Sequence, residues 1–351
     1  MSTAISTPTY RAGIIGLGFI GGADQVSGDA IGQVVAGLDG THAEALARHP
    51  RVRLVAGSSR DAGRRERFAA RTGARTYADW QEMLEREALD VVSVATYAPS
   101  HAAITVACAA RGVRAIYCEK PLATTLRDAD RMLAACAAAG VLLVVNHQGR
   151  FNPNYRALRD RIAAGDLGDL TSVSLRWGAG RLGNVGTHKF DALELLTGRR
   201  ITAVSGTLDL AGKPDCRGPA FRDPGGWGVL RLEGGLMGVV DATDYATAPA
   251  RTEVNGTLGT AWSGRDEVTI ELRDGRREEW PGRRSERTSM DRAVGEIVDW
   301  LSTGAPFPYP ASGAVRALEV IVAFHVSHAR RAEWVDLPLA GADRDRVVAA
   351  A

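Results

Sequence analysis

The chain has 351 residues, enough for two domains. Lys plus Arg number 43 against 41 Asp plus Glu, and a net charge of +2 gives nucleic acid or an anionic membrane no basic surface to bind. No apolar run approaches the roughly 20 residues that a bilayer crossing needs, and the first nine residues are polar, so no signal peptide is expected. Four cysteines (Cys108, Cys118, Cys136 and Cys216) fall in no metal-like spacing, which points to a reduced, cytoplasmic setting without a bound metal.

The first 150 or so residues alternate apolar strands with Ala-rich helices. Strands are expected at Arg11–Ile15, Val52–Ala56, Asp90–Thr96, Val113–Cys118 and Val141–Asn146. Helices are expected at Ala62–Thr72, His101–Arg111 and Leu126–Ala139. That alternation predicts an α/β fold with a doubly wound parallel sheet. After Arg150 the texture changes. Pro153–Ala164 reads as a helix closed by Gly165, and residues 170–280 alternate in the manner of antiparallel strands. Gly234-Gly235 and Asp274-Gly275 are hairpin signals. Helices follow at Thr187–Leu196, Met290–Leu301 and Ala314–Arg331, and Trp334–Leu339 suits an edge strand. The expected division is 1–149 and 150–351.

Gly16-Leu17-Gly18-Phe19-Ile20-Gly21 follows the first strand directly. In that context the glycines allow a tight turn and close approach of a pyrophosphate to backbone amides, a dinucleotide fingerprint. About 30 residues separate Gly21 from Val52, so Gly22–Gly40 reads as an insertion before a helix at Thr41–His49. It is a lid, a subunit contact or a surface loop. The second strand ends in Ser58-Ser59-Arg60, with Arg64-Arg65 beyond, and no acidic residue at the tip. Hydroxyls and guanidinium forks suit a 2′-phosphate, so NADP is favoured over NAD.

Three segments carry candidate chemistry. Thr96-Tyr97-Ala98-Pro99-Ser100-His101 follows a strand and suits a loop against the nicotinamide, with Ser100 able to cap a helix at His101. Glu119-Lys120-Pro121 follows the next strand and sets Lys120 where open α/β sheets bind ligands. In Asn184-Val185-Gly186-Thr187-His188-Lys189-Phe190-Asp191, Thr187 is placed to cap a helix. His188 in its first turn would stay neutral and serve as a general base, with Asp191 on the same face.

Together these segments, with Arg150-Phe151-Asn152-Pro153, resemble the glucose-fructose oxidoreductase/inositol dehydrogenase/rhizopine-catabolism (Gfo/Idh/MocA) family over nearly the whole chain. The resemblance implies a Rossmann domain followed by an α+β domain with a large, mostly antiparallel sheet. It implies hydride transfer between NAD or NADP and a hydroxyl carbon of a sugar or cyclitol. It sets Lys120 near the nicotinamide and the substrate hydroxyl, and His188 as the catalytic histidine. The histidine's partner four residues earlier, usually aspartate, is Asn184, which orients a group but takes no proton. Candidate polyol contacts are Arg150, Asn154, Trp177, Arg181, Thr187 and Lys189. The resemblance further implies a homodimer or homotetramer joined through the exposed sheet face. Other members of the family use bound NAD in glycosidic-bond cleavage, and others are sugar- or nucleotide-sensing regulators.

Overall fold

A computed structural model describes residues 9–210, 222–243, 249–283 and 287–348; the first eight residues and Cys216 lie outside them. The chain forms two compact units, each assembled from three segments. The first holds residues up to Glu119, Arg131–Asn146 and Arg287–Ala311, and the second holds Lys120–Asp130, His147–Glu286 and the residues from Ser312 onward. The division is therefore not a single cut near residue 150.

The first unit is built on six parallel strands: β1 (Tyr10–Ile15), β2 (Val52–Ser58), β3 (Arg75–Tyr77), β4 (Val91–Val94), β5 (Ala115–Cys118) and β6 (Leu142–Val145). Their order, β3-β2-β1-β4-β5-β6, reverses direction at β1, which is the dinucleotide-binding arrangement. Every residue of β4 and β5 is buried, as continuous apolar runs require when helices cover both faces. The short edge strand β3 has no counterpart in the sequence reading. Ala62–Thr72 and Leu126–Ala139 form helices as expected. Asp61 caps the former by accepting from Arg64 N at 2.8 Å.

The helix after the glycine turn is a single turn, Phe19–Gly22, ended by Ala23 in the left-handed region. The insertion then folds as a short helix, Gln25–Asp29, and a 3-10 turn, Val35–Gly37, before the helix His42–Arg48 resumes. Arg67 fastens it with hydrogen bonds of 2.7 and 2.9 Å to the two carboxylate oxygens of Asp24. Those bonds hold the Asp24 carboxyl down at about 2. At its other end Asp39 Oδ1 accepts from Ser289 N at 2.9 Å, which ties the insertion to the helix Ser289–Thr303.

The second unit is built on nine strands: β7 (Leu170–Arg176), β8 (Ile201–Asp209), β9 (Gly225–Leu232), β10 (Met237–Ala242), β11 (Arg251–Gly256), β12 (Gly259–Ser263), β13 (Val268–Leu272), β14 (Arg277–Trp280) and β15 (Val335–Asp336). Their order is β14-β13-β12-β11-β7-β10-β9-β8-β15, and only the β7–β10 pair is parallel. Both glycine signals are hairpins: Gly234 and Gly235 turn β9 into β10, and Gly275 turns β13 into β14, all at positive φ. The late strand is the edge strand β15, paired with β8. Phe190 of the helix Thr187–Thr197 stacks on Phe324 at 5.8 Å and meets the edge of Trp177 at 6.1 Å. These buried rings fix that helix against the sheet.

Candidate functional site

The first unit supplies a nucleotide cradle. Gly16 sits at φ 102°, and a Cβ there would lie 2.4 Å from Ala95 O, so only glycine fits the turn. A Cβ at Gly21 would meet Gly16 O at 2.0 Å. At Gly18 the nearest atom to such a Cβ is Arg64 Nη1, 3.7 Å away, so the backbone stays open to a ligand beside a guanidinium. The turn therefore fits a dinucleotide pyrophosphate. Phe19 and Ile20 open the one-turn helix.

Ser58 is buried at the tip of β2, and Ser59 and Arg60 become progressively more exposed. Arg65 is engaged with the backbone, donating to Ser59 O at 2.7 Å and Arg60 O at 3.0 Å. Arg60 follows Ser59 in the chain at the strand tip, and the Arg64 guanidinium lies beside the glycine turn.

In the next loop Thr96 and Tyr97 reach the surface while His101 is fully buried. His101 Nε2 lies 2.9 Å from Thr96 O and braces the loop from behind. Ser100 does not cap the helix; its hydroxyl donates to Thr96 Oγ1 and Tyr97 O. Glu119 is also buried. Its Oε1 accepts from His42 Nε2 at 3.1 Å and from Asn146 Nδ2 at 2.5 Å. His42 Nδ1 reaches Ser93 Oγ at 3.0 Å, and the Tyr117 hydroxyl donates to Asn146 Oδ1 at 2.6 Å. Glu119 thus anchors a polar network under the strand ends, and burial, with the Glu119 charge, pushes the Tyr117 hydroxyl well up.

The second unit gathers the other candidates. Lys120 Nζ donates to both the side-chain Oδ1 and the backbone O of Asn184, the latter at 3.2 Å. Asn184 lies in a π-helical turn, Leu182–Gly186, that runs straight into the helix Thr187–Thr197. Thr187 is therefore not a cap: Gly186 before it is already helical, and the Thr187 hydroxyl lies 2.9 Å from His147 Nε2. The free end of the helix is moved back to the π turn. There Asp223 accepts from Gly183 N and Asn184 N, both at 2.7 Å. His188 is therefore not in an open first turn, and the helix dipole acts on it less strongly.

Asp191 also differs from expectation. Its carboxylate pairs with His147 Nδ1 at 3.1 Å and with Arg150, rather than with His188. Burial alone would raise it, but the charge and hydrogen bonds of His147 and Arg150 prevail and hold it well below the usual carboxylate range. His188 is half-buried, with its ring centroid 5.7 Å from that of His147. The sequence reading missed His147, which follows a strand end and belongs to no motif.

Arg150, through Asp191, belongs to this cluster, but Asn154 and Trp177 are placed elsewhere. Asn154 is buried and donates to Asp266 O and Pro281 O. Trp177 is a core ring whose Nε1 donates to Gly180 O at 2.6 Å. Arg181 precedes the π turn in the left-handed region. Lys189 is buried, its ammonium reaching Gly264 O at 3.4 Å and Thr252 Oγ1 at 3.5 Å, and burial, opposed by the Glu267 charge, lowers it to about 8. Among the described residues no group of three His, Cys, Asp or Glu is placed to hold a metal ion. No described helix is long and apolar enough to cross a membrane.

Over 94 residues the chain is 45% identical to D-apiose dehydrogenase of Paraburkholderia graminis, covering 27% of this chain and 25% of that one. Over 216 residues it is 27% identical to myo-inositol 2-dehydrogenase of Thermotoga maritima, covering 57% of this chain and 64% of that one. The chain thus spans a quarter of one relative's length and just under two thirds of the other's. The solved structure of levoglucosan dehydrogenase with NADH and levoglucosan shares the fold, with a TM-score of 0.77, 22% identity, and coverage of 94% of this chain and 100% of that one. Residues 10–147 match the GFO_IDH_MocA oxidoreductase family with its NAD-binding Rossmann fold, and residues 155–262 match the GFO/IDH/MocA C-terminal domain. With the glycine cradle in one unit and the C-terminal sheet in the other, the chain belongs to the Gfo/Idh/MocA oxidoreductase family.

Proposed function

We propose that the protein transfers hydride between a nicotinamide cofactor, preferentially NADP, and a hydroxyl carbon of a sugar, sugar derivative or cyclitol. The observation that carries this reading is the bond from Lys120 to Asn184, on the turn that opens directly into the helix bearing His188. It sets the Lys120 ammonium on a turn four residues before His188 in the second unit. The relatives named for apiose and myo-inositol support the substrate class, and the Arg60–Arg64 run supports NADP.

The cofactor, when bound, accepts or gives hydride at nicotinamide C4. The glycine turn of the first unit would hold its pyrophosphate by backbone amides, with Arg64 beside Gly18 and Arg60 toward the 2′-phosphate. Lys120 hydrogen-bonds the reacting oxygen and stabilises the charge that develops there. His188 takes the hydroxyl proton as general base in the oxidative direction. Thr187 and Arg150 act behind them, through His147 and Asp191.

The outer face of the second sheet supports self-association. Val239 is 56% exposed opposite Val229, with Trp227 and Met237 also in the open. A homodimer or homotetramer buries this patch.

The test is a panel of polyols and aldoses with NADP and NAD, read by absorbance of the reduced cofactor. Lys120→Ala and His188→Ala should each lower turnover by about two orders of magnitude or more, with cofactor binding nearly intact. Near-normal turnover in both variants sinks the assignment. A tightly held cofactor with no net reduction across the panel would point instead to glycosidic-bond cleavage.

A further inference from the structure

We propose that His147 is a positioning residue for His188: with Asp191 and Thr187 it forms a carboxylate–imidazole–hydroxyl chain that braces the start of the catalytic helix and tunes the pH range in which His188 works. This rests on the reading of His188 as general base.

The geometry is confined to the second unit. His147 is buried at the N-terminal end of the 3-10 turn Gln148–Phe151. Its Nδ1 lies 3.1 Å from Asp191 Oδ1, and its Nε2 lies 2.9 Å from Thr187 Oγ1. Ionised Asp191 has no proton to give, so Nδ1 carries the hydrogen and donates. That bond fixes the ring and leaves Nε2 two states. As a lone pair it accepts from the Thr187 hydroxyl. As an N–H it donates to the same oxygen and turns the hydroxyl proton away. Thr187 is 1% exposed, so bulk water does not take up the difference. The state of His147 is thereby passed to the residue next to His188.

A second route is electrostatic. The two ring centroids are 5.7 Å apart at an interplanar angle of 68°. A unit charge at 5.7 Å moves a titration midpoint by about half a unit in a water-like medium and by roughly two units in a protein-like one. The charged groups around His147 include Asp191 on the same helix as His188 and Arg150 on the turn that holds His147, and Lys120 bonds Asn184 four residues before His188. Arg150 and Asp191 largely neutralise each other, so protonated His147 is felt at His188 as added positive charge and opposes a second imidazolium.

In the oxidative direction the hydroxyl proton goes to His188 and the hydride to the nicotinamide. His147 forms and breaks no bond with substrate, which makes it distinct from a second base.

The test uses the full chain and His147→Gln, whose amide can still donate to Asp191 and accept from Thr187 but cannot charge. Histidine-selective NMR follows the His188 ring through a pH titration, and the pH profiles of kcat and kcat/KM are measured on whichever polyol the panel selects. The His188 midpoint and the acid limb of kcat/KM should both move to higher pH by about half a unit or more. An unmoved His188 midpoint in the folded variant overturns the proposal. If His147→Gln does not fold, the wild-type titration decides: a two-step curve for His188 supports the coupled pair, and a single-step curve overturns it. The NMR arm needs no substrate, so a moved midpoint without turnover of any polyol would count against the proposed reaction and not against the coupling.

Discussion

Lys120 and Asn184 are bonded twice, from one ammonium to both the side-chain and backbone oxygens of the same asparagine. The amide therefore does for Lys120 what a carboxylate would do sterically, without adding a negative charge. The Asp223 carboxylate in turn holds the backbone of Asn184 and Gly183. Asn184→Ala should take the side-chain oxygen away from Lys120 and lower kcat on the order of a hundredfold by misplacing the ammonium. Asp223→Asn should lower kcat less and cost about 1 kcal/mol of stability, as loss of a charged helix cap does. Steady-state kinetics and urea unfolding of both variants check this; unchanged kcat in Asn184→Ala would dismiss the Lys120–Asn184 bond as a catalytic support.

Lys189 gives a pH-dependent stability with a definite sign. Burial lowers its folded pKa to about 8, against about 10.4 in an unfolded chain. Between those values the unfolded chain binds more protons, so stability rises with pH across that window. Below pH 8 the full penalty stands, at most about 3 kcal/mol. Lys189→Met should therefore stabilise the protein by about 1–3 kcal/mol at pH 7, with the gain fading by about pH 10. Urea unfolding at both pH values measures it; an equal effect at pH 7 and 10 would assign the change to packing.

The proposed NADP preference rests on Arg60 and Arg64. Loss of one charge-assisted hydrogen bond, about 1.5–3 kcal/mol, should raise KM for NADP roughly ten- to a hundredfold in Arg60→Ala while leaving KM for NAD nearly constant. Equal Michaelis constants for the two cofactors, unaffected by the substitution, would overturn the NADP preference.

Val239 tests self-association. Val239→Arg sets a charge opposite Val229 on the open sheet face. Sedimentation velocity should show a smaller species than the wild type; an identical distribution would clear that face of the role.

Much of the fold was legible because it depends on local patterns. Val91–Val94 and Ala115–Cys118 are buried on both faces and read as continuous apolar strands. Gly16 and Gly21 need glycine for reasons of backbone space, and such needs show in a sequence. Arg75–Tyr77 was missed because one exposed and two half-buried residues at a sheet edge carry no periodic signal. The site was legible where a motif marks it and obscure where contacts are long-range. Asp191 lies at helical spacing from His188, yet its partners come from 41 and 44 residues upstream, at Arg150 and His147. The π turn at Leu182–Gly186 hid among glycines that resemble a loop. It cost Thr187 its expected place as a cap. Asn154 and Trp177 are types that bind polyols in open sites, but burial set them to other uses.

The helix Ser289–Thr303 belongs to the first unit although it lies far along the chain. The Ser302 hydroxyl meets the Tyr10 hydroxyl and the Arg51 guanidinium, Arg114 donates to Leu301 O, and Asp39 receives Ser289 N. On the ribosome, then, the nucleotide-binding unit emerges first but cannot close until some 300 residues have been made. During that interval the His42–Arg48 helix, Tyr10, Arg51 and Arg114 lack the contacts that this late segment brings to them.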